Sequence, residues 1–139
     1  AEKLPDVIAD QFLFFRKALE IADAAGVAPE KIMLDPGFGF AKTREDEAEL
    51  MARFSELHAL ELPFLIGTSR KRFIGAMTGR ERADERDVGT AATTAVLRLA
   101  GAHVFRVHNV AANRDALRVA DAILSASPAE KLDSAEAKS

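Results

Sequence analysis

The stretch FLIGTSRKRFIG, residues 64–75, decides how the rest of the chain is interpreted. Its apolar start predicts a short buried strand, and Thr68 and Ser69 are candidate N-cap residues for a helix that follows. Lys71 and Arg72 then fall in the first helical turn, where the helix dipole disfavours cations. Two cations at such a position indicate a site for an anionic or electron-rich ligand. The alternative is that both side chains simply extend into solvent.

Two more apolar runs flank this stretch, KIMLD at residues 31–35 and HVFRVHNV at residues 103–110, and each predicts a strand. Pro36 ends the first run because proline cannot donate a hydrogen bond to a strand ladder. Apolar residues at helical spacing precede, separate and follow the three predicted strands. The predicted helices cover residues 6–25, 43–58, 84–99 and 113–124.

Strands that alternate with helices imply parallel pairing and right-handed crossovers. Thr43 and Asp46 form an imperfect capping box, which predicts the start of the second helix. On the last helix, Val119, Ala120 and Ile123 are expected to face inward. A three-stranded sheet of this kind has two unpaired edges, so the chain either oligomerises or is the last part of a larger barrel. The second interpretation is favoured.

Composition restricts the class of protein. The 139 residues suit one domain over residues 1–125, and the Ser-, Ala-, Glu- and Lys-rich residues 126–139 predict a disordered tail. A net charge of −3 gives no sign of a nucleic-acid-binding surface, and no apolar run approaches membrane-spanning length. Cysteine and the usual metal and nucleotide motifs are absent, so a metal site made by protein side chains alone is not expected. Mg²⁺ carried by a phosphate substrate stays open.

Each predicted strand is followed or ended by polar residues, which lie at the edge where parallel α/β folds bind ligands. Arg106 and His108 are two residues apart on the third strand, so both side chains should point to one face. A guanidinium and an imidazole on one face suit an oxyanion or a phosphate. The alternatives are a structural ion pair for Arg106 and a satisfied strand-end histidine for His108.

Asp35 ends the first strand, directly before a glycine-rich turn. It is either a turn-forming residue that bonds its own backbone, or a carboxylate that accepts paired N–H donors from a heterocycle. Gly37 and Gly39 allow a ligand to approach the backbone closely. Phe38 and Phe40 offer rings for ligand packing, although either could belong to the core.

Taken together, three segments resemble the dihydropteroate synthase family of folate biosynthesis. They are LDPGFGF at residues 34–40, GTSRKRFIG at residues 67–75 and RVH at residues 106–108, in the family's order. The resemblance extends from the first helix to about residue 124. It implies a (β/α)₈ TIM barrel, of which this chain is the C-terminal part, about strands six to eight with their helices. The first five strands would be missing, so the chain alone is not expected to be catalytically complete.

The resemblance also implies a reaction and a set of site residues. The family condenses p-aminobenzoate with 6-hydroxymethyl-7,8-dihydropterin pyrophosphate, giving 7,8-dihydropteroate and pyrophosphate. Asp35 would bind the aminopyrimidine edge of the pterin, and Lys71 would contact the pterin and border the p-aminobenzoate site. Arg106 would lie against the pterin and, with His108, bind the departing pyrophosphate; Lys71, Arg106 and His108 are the expected catalytic residues. The pocket between the two substrates would be shaped by Gly39, Phe40, Gly67 and Ser69.

Further expectations follow from the resemblance. Mg²⁺ would be bound with the pyrophosphate, mainly through residues outside this chain, and the protein would be a cytoplasmic homodimer. Some family members have Ser after the motif lysine to bind the benzoate carboxylate, whereas this chain has Arg72. Two other functions stay open at this point: a pterin-binding methyltransferase barrel, and a non-catalytic barrel fragment that serves only in assembly. The pairing of SRK with RVH counts against the methyltransferase, which needs no pyrophosphate clamp.

Overall fold

The computed structural model describes residues 4–126, and the predicted tail beyond Ala126 lies outside the described residues. The described chain is mostly helical, with a small parallel sheet. In chain order its elements are α1 (Val7–Ala24), a 3₁₀ turn (Pro29–Lys31), α2 (Arg44–Ala52), a 3₁₀ helix (Phe54–Leu60), β1 (Leu65–Ile66), α3 (Arg72–Thr78), a 3₁₀ turn (Ala83–Glu85), α4 (Asp87–Leu99), β2 (Val104–Phe105) and α5 (Val110–Ser125).

The sheet is parallel, as the alternation of helices and strands predicts, but its strands are short. β1 and β2 pair in register, with Leu65 opposite Val104, and the run at residues 31–35 contributes only the parallel bridge between Leu34 and Phe64. This run is shortened because the 3₁₀ turn occupies its start and Pro36 follows it. The spatial order therefore places residue 34, β1 and β2 side by side.

The second predicted helix begins as expected but does not continue to residue 58. Thr43 caps α2 in a capping box with Asp46, which confirms that prediction. At Arg53 the backbone leaves the α conformation, and a 3₁₀ helix takes over. Because a 3₁₀ helix has three residues per turn, Phe54 and Leu57 share one face, and both are fully buried.

The expected N-cap of the helix after β1 is wrong. α3 begins only at Arg72, and Lys71 is its N-cap residue without a capping side-chain bond. Thr68 is instead buried and bonds the hydroxyl of Thr93 on α4 at 2.9 Å, while Ser69 bonds His108. These hydroxyls are used by neighbouring elements, so the loop extends to residue 71.

An aromatic cluster fills the core beside the sheet. Phe15 of α1, Phe54 and Phe64 pack edge to face, with ring centroids 5.1–5.8 Å apart. On the other side, α5 packs on α4, and the buried Thr94 hydroxyl donates to Oδ1 of Asn113 at 2.6 Å.

That hydrogen bond sets which face of α5 is inward. Ala120 is buried with Asn113, whereas Val119 and Ile123 are 61% and 54% exposed, so the prediction that they face inward is wrong. Periodicity alone could not distinguish the two faces, because both carry apolar residues. No helix among the described residues is long and apolar enough to cross a membrane.

Candidate functional site

Lys71 lies at the centre of the polar edge that the sequence indicates. Its ammonium donates to the carbonyl oxygen of Phe38 and lies 4.7 Å from the centroid of the Phe40 ring. Partial burial lowers the pKa of Lys71 below its usual range, while the charge of Asp35 opposes this shift and that of Arg106 adds to it. The charges of two other predicted site residues, Asp35 and Arg106, therefore act on Lys71.

Gly39 makes room for Lys71, and Gly67 lies within ordinary contact distance of both cations. A methyl group placed on Gly67 would lie 3.4 Å from Nη2 of Arg106 and 3.9 Å from Nζ of Lys71. One placed on Gly39 would lie 2.8 Å from Cδ of Lys71, and Gly39 has a left-handed φ of +86°. Gly39 is thus needed both for the turn and for the close approach of Lys71.

Arg106 follows β2 directly, and its backbone N–H still donates to the carbonyl oxygen of Ile66 at 2.9 Å. Its side chain is exposed and reaches Gly67. Within residues 4–126 no carboxylate pairs with this guanidinium, so the structure does not bear out the alternative of a structural ion pair there. The cation is available to a ligand.

His108 is tied to Ser69 from both its backbone and its ring. The Ser69 hydroxyl accepts the N–H of His108 at 3.0 Å and lies 2.6 Å from Nδ1. One arrangement that satisfies both groups has the hydroxyl donating to Nδ1, which leaves the ring proton on Nε2. Arg106 and His108 therefore both reach the segment of residues 67–71, but the prediction that they lie on a strand over residues 103–110 is wrong, because β2 ends at Phe105.

Asp35 is exposed and makes the turn contact that one interpretation of the sequence predicts. Its Oδ1 accepts the N–H of Gly37 at 2.8 Å. It also lines a cavity of about 320 Å³ between α1 and the 36–42 turn, together with Phe40. The local bond uses only one carboxylate oxygen, so the two interpretations of Asp35 are compatible. Phe38 is buried in the core, whereas Phe40 is 67% exposed.

A second cavity, of about 530 Å³, lies between α2 and α3 and is lined in part by Lys71. Apart from the buried carboxylate of Glu47, every charged side chain in its lining is cationic. The charged residues that line it are Lys42, Arg44, Glu47, Arg70, Lys71, Arg72 and Arg86. Asp35 and Lys71 thus line different cavities, with the exposed Phe40 ring beside the Lys71 ammonium.

Two carboxylates that support this site were missed by the sequence interpretation. Glu47 is buried and accepts the N–H of Gly39 at 2.6 Å. Asp87 accepts two bonds from Arg70, at 2.9 and 3.2 Å, and one from Asn109 at 3.3 Å. The sequence signal for Glu47 is weak, because a glutamate in an amphipathic helix is usually on the surface. For Asp87 no local signal exists, since its partners lie 17 and 22 residues away.

Asp87 connects the two loops that carry the site's cations. Arg70 precedes Lys71 and has a left-handed φ of +59°, which is costly for a residue with a side chain. Its backbone N–H donates to Thr90, and its guanidinium is fixed by Asp87. Asp87 also accepts a hydrogen bond from the side chain of Asn109, which follows His108 and caps α5.

Among residues 4–126 there is no group of three or more His, Asp or Glu side chains that could hold a metal ion. The acidic residues nearest the site each have a protein partner: Asp35 bonds the turn, Glu47 bonds Gly39 and Asp87 bonds Arg70. These three carboxylates therefore do not form a shared metal site.

The sequence of residues 2–108 matches the family model described as pterin binding enzyme. The chain belongs to the pterin-binding enzyme family. The match spans more than half of the chain and includes the segments at residues 34–40, 67–75 and 106–108, which together carry all of the predicted site residues. Their individual roles stay predictions.

Named relatives of this chain are dihydropteroate synthases. It is 40% identical over 126 residues to the enzyme of Escherichia coli K12, covering 91% of this chain and 44% of that protein. It is 53% identical over 93 residues to that of Staphylococcus epidermidis, covering 66% of this chain and 34% of that protein. The chain therefore spans less than half the length of the curated relatives it matches.

Solved structures show the same relationship. The dihydropteroate synthase of Xanthomonas albilineans in complex with 7,8-dihydropteroate superposes with a TM-score of 0.85 at 40% identity, covering 90% of this chain and 49% of that one. The Yersinia pestis enzyme gives a TM-score of 0.83 at 38% identity, covering 86% and 56%. The α/β fold of the chain is that of dihydropteroate synthase barrels.

Proposed function

We propose that the chain is the C-terminal part, about strands six to eight with their helices, of a dihydropteroate synthase. The complete protein would join p-aminobenzoate to 6-hydroxymethyl-7,8-dihydropterin pyrophosphate, releasing 7,8-dihydropteroate and pyrophosphate. The observation that carries this proposal is the meeting of two cations at Gly67, where Arg106 and Lys71 come within 3.4 and 3.9 Å of one point. The named relatives and the product complex of the X. albilineans enzyme support the choice of reaction.

In the proposed reaction the C–O bond of the pterin methylene breaks, and the pyrophosphate leaves with the electron pair. The amine of p-aminobenzoate then attacks the cationic methylene and loses a proton. Arg106 and His108 would bind the growing negative charge on the pyrophosphate, and fixed cations favour such charge separation. Lys71 would contact the pterin beside the p-aminobenzoate site, and Asp35 would accept the paired N–H groups of the aminopyrimidine edge.

The remaining side chains would shape the shared pocket. Phe40 is exposed beside the Lys71 ammonium, where its ring could pack against the benzoate. Gly39 and Gly67 would allow close approach, and the Ser69 hydroxyl would hold the imidazole of His108. Arg72, exposed on the cationic cavity, is a candidate for the benzoate carboxylate in place of the serine of other members.

We further propose that Mg²⁺ enters with the substrate pyrophosphate, mainly through residues outside this chain, and that the complete enzyme is a cytoplasmic homodimer. The support for Mg²⁺ is chemical, since a pyrophosphate leaving group needs its charge neutralised. The support for a dimer is the exposed apolar surface of α4 and α5, including Val88 and Val110, which are 87% and 64% exposed.

Replacement of Lys71, whose ammonium lies at the centre of the site, tests the proposed function. In the complete protein, Lys71→Ala should lower kcat/KM for dihydropteroate formation by about 100-fold or more, the usual cost of losing one charge-stabilising group. Lys31→Ala is the matched control, because Lys31 is exposed on a 3₁₀ turn away from the site. Turnover of both substrates by Lys71→Ala at the wild-type rate would refute its role, and a wild-type protein without this activity would refute the function.

A further inference from the structure

One peptide group of the 36–42 turn is held from both ends by charged side chains. This is the peptide between Phe38 and Gly39. Its carbonyl oxygen accepts the ammonium of Lys71, and its N–H donates to Oε1 of Glu47 at 2.6 Å. The plane of this peptide is therefore fixed by a carboxylate on one side and by the central cation of the site on the other.

Glu47 is placed for this task by its own helix. It lies in the first turns of α2, and only 1% of its surface is exposed. Its Oε2 is also buried and has no hydrogen-bond partner among residues 4–126. A carboxylate buried with one oxygen unbonded costs stability, so a purely structural residue at this position would not need a charge.

The geometry points to Glu47 as a positioning residue for Lys71, acting through the Phe38–Gly39 peptide. A charged acceptor on the N–H polarises the peptide and strengthens its carbonyl as an acceptor for the ammonium. Because the peptide cannot rotate without breaking the bond to Glu47, the carbonyl stays directed at Lys71. The inference rests on the proposed function, in which Lys71 contacts the pterin.

The electrostatics of the pair agree with this arrangement. Burial raises the pKa of Glu47, while the bond from Gly39 and the charges of Lys42 and Lys71 lower it, and Asp46 raises it. The charge of Glu47 in turn raises the pKa of Lys71, which burial lowers. Each charge thus stabilises the charged form of the other side chain, whereas burial destabilises both charged forms. The charged groups that face this pair are Asp35, Lys42, Arg44, Asp46, Arg70, Arg72, Arg86 and Arg106.

Two variants of Glu47 in the complete protein test the inference. Glu47→Leu removes the acceptor and should lower kcat by about 10- to 100-fold, as loss of positioning by an ångström does. Glu47→Gln keeps an acceptor oxygen for Gly39 and should restore most of kcat near neutral pH. Because the charge of Glu47 supports protonated Lys71, Glu47→Gln should also move the alkaline limb of the pH profile to lower pH.

Thr43→Ala is the matched control for a merely structural effect. It removes the capping box and destabilises the same helix by about 1 kcal/mol without touching Gly39. Its kcat per folded molecule should equal that of the wild type. Equal kcat values for Glu47→Leu, Thr43→Ala and the wild type would overturn the positioning role.

A readout that needs no activity separates this inference from the proposed function. In protein labelled with ¹⁵N-glycine, the Gly39 amide should be shifted downfield in the wild type, as expected of a charge-assisted bond, and a second sample labelled with ¹⁵N-lysine reports the Lys71 titration. That shift should be lost in Glu47→Leu and largely kept in Glu47→Gln, and the Lys71 titration should move to lower pH in Glu47→Gln. An inactive wild type that shows these shifts would refute only the function. Unchanged Gly39 and Lys71 signals in both variants would refute the role of Glu47, whether or not the enzyme is active.

Discussion

At the scale of single residues, the site requires a glycine at position 39 for two reasons, its backbone conformation and the closeness of Lys71. Gly39 has a left-handed φ of +86°, and a methyl group there would lie 2.8 Å from Cδ of Lys71. Gly26 has a similar φ of +81° but nothing within 4 Å of an added methyl group. A comparison of substitutions at the two glycines therefore distinguishes the cost of the left-handed backbone from the effect of a clash with Lys71.

We expect Gly39→Ala and Gly26→Ala to lower stability by a similar amount, about 1–2 kcal/mol, since both force a side chain into the left-handed region. Only Gly39→Ala should displace Lys71, so it alone should lower kcat/KM, by about tenfold or more. Chemical denaturation and steady-state kinetics of the complete protein measure the two effects. Equal activity in the two variants would contradict the steric role of Gly39.

The residue scale also shows what local sequence can and cannot predict. The charges of Asp35 and Arg106 both act on Lys71, because the order of strands and loops brings the strand ends to one edge, but Asp35 and Lys71 line different cavities. Glu47 and Asp87 escaped prediction, because each lies on a helix whose pattern suits a surface carboxylate. Their importance follows from tertiary partners, and no pattern within a helix encodes those.

At the scale of elements, helices were predicted better than strands. The capping box of α2 is encoded by adjacent residues, and it forms. β1 and β2 contain two residues each, because strand length depends on neighbouring strands as well as on the apolar run. The rotation of α5 depends on a buried hydrogen bond from Thr94 to Asn113, which a period of apolar residues cannot reveal.

Asp87 connects Arg70, in the loop after β1, to Asn109, the N-cap of α5, so its replacement should destabilise both segments. Asp87→Asn removes the charge that holds Arg70, so we expect a loss of about 1–3 kcal/mol in the free energy of unfolding at pH 7, the range for hydrogen bonds to charged groups. Asp84→Asn is the control, because its pair with Arg82 is exposed on both sides and contributes little.

The effect of Asp87 should also depend on pH in a definite direction. The hydrogen bond from Arg70 holds the pKa of Asp87 below its ordinary value of 3.8. The folded state thus favours the charged form, and this stabilisation is complete above pH 3.8 and is lost as the pH falls through the folded value. The stability difference between the wild type and Asp87→Asn should be constant near neutral pH and shrink below about pH 4. Denaturation midpoints that keep the same difference at pH 3 would contradict this assignment.

At the scale of the whole molecule, the described chain leaves many large apolar side chains exposed. The sheet has open edges at residue 34 and at β2, where Val104 is 39% exposed. Large apolar side chains are also exposed along the helices. They include Phe14 and Ile21 on α1, Val88 and Val96 on α4, and Val110, Val119 and Ile123 on α5. This distribution fits a part of a larger barrel whose remaining surfaces are covered by other segments or by a second copy.

The isolated 139-residue chain should therefore self-associate, through open strand edges or through the apolar faces of α4 and α5. Sedimentation velocity over a range of concentrations measures this, and the double variant Val119→Ser with Ile123→Ser identifies the surface. If the helix faces make the contact, the double variant should shift the chain toward the monomer. If the strand edges make it, the variant should associate as the wild type does, because β2 is unchanged. A wild-type chain that stays a stable monomer at every concentration would contradict the interpretation as part of a barrel, since its edges and apolar faces would then need no cover.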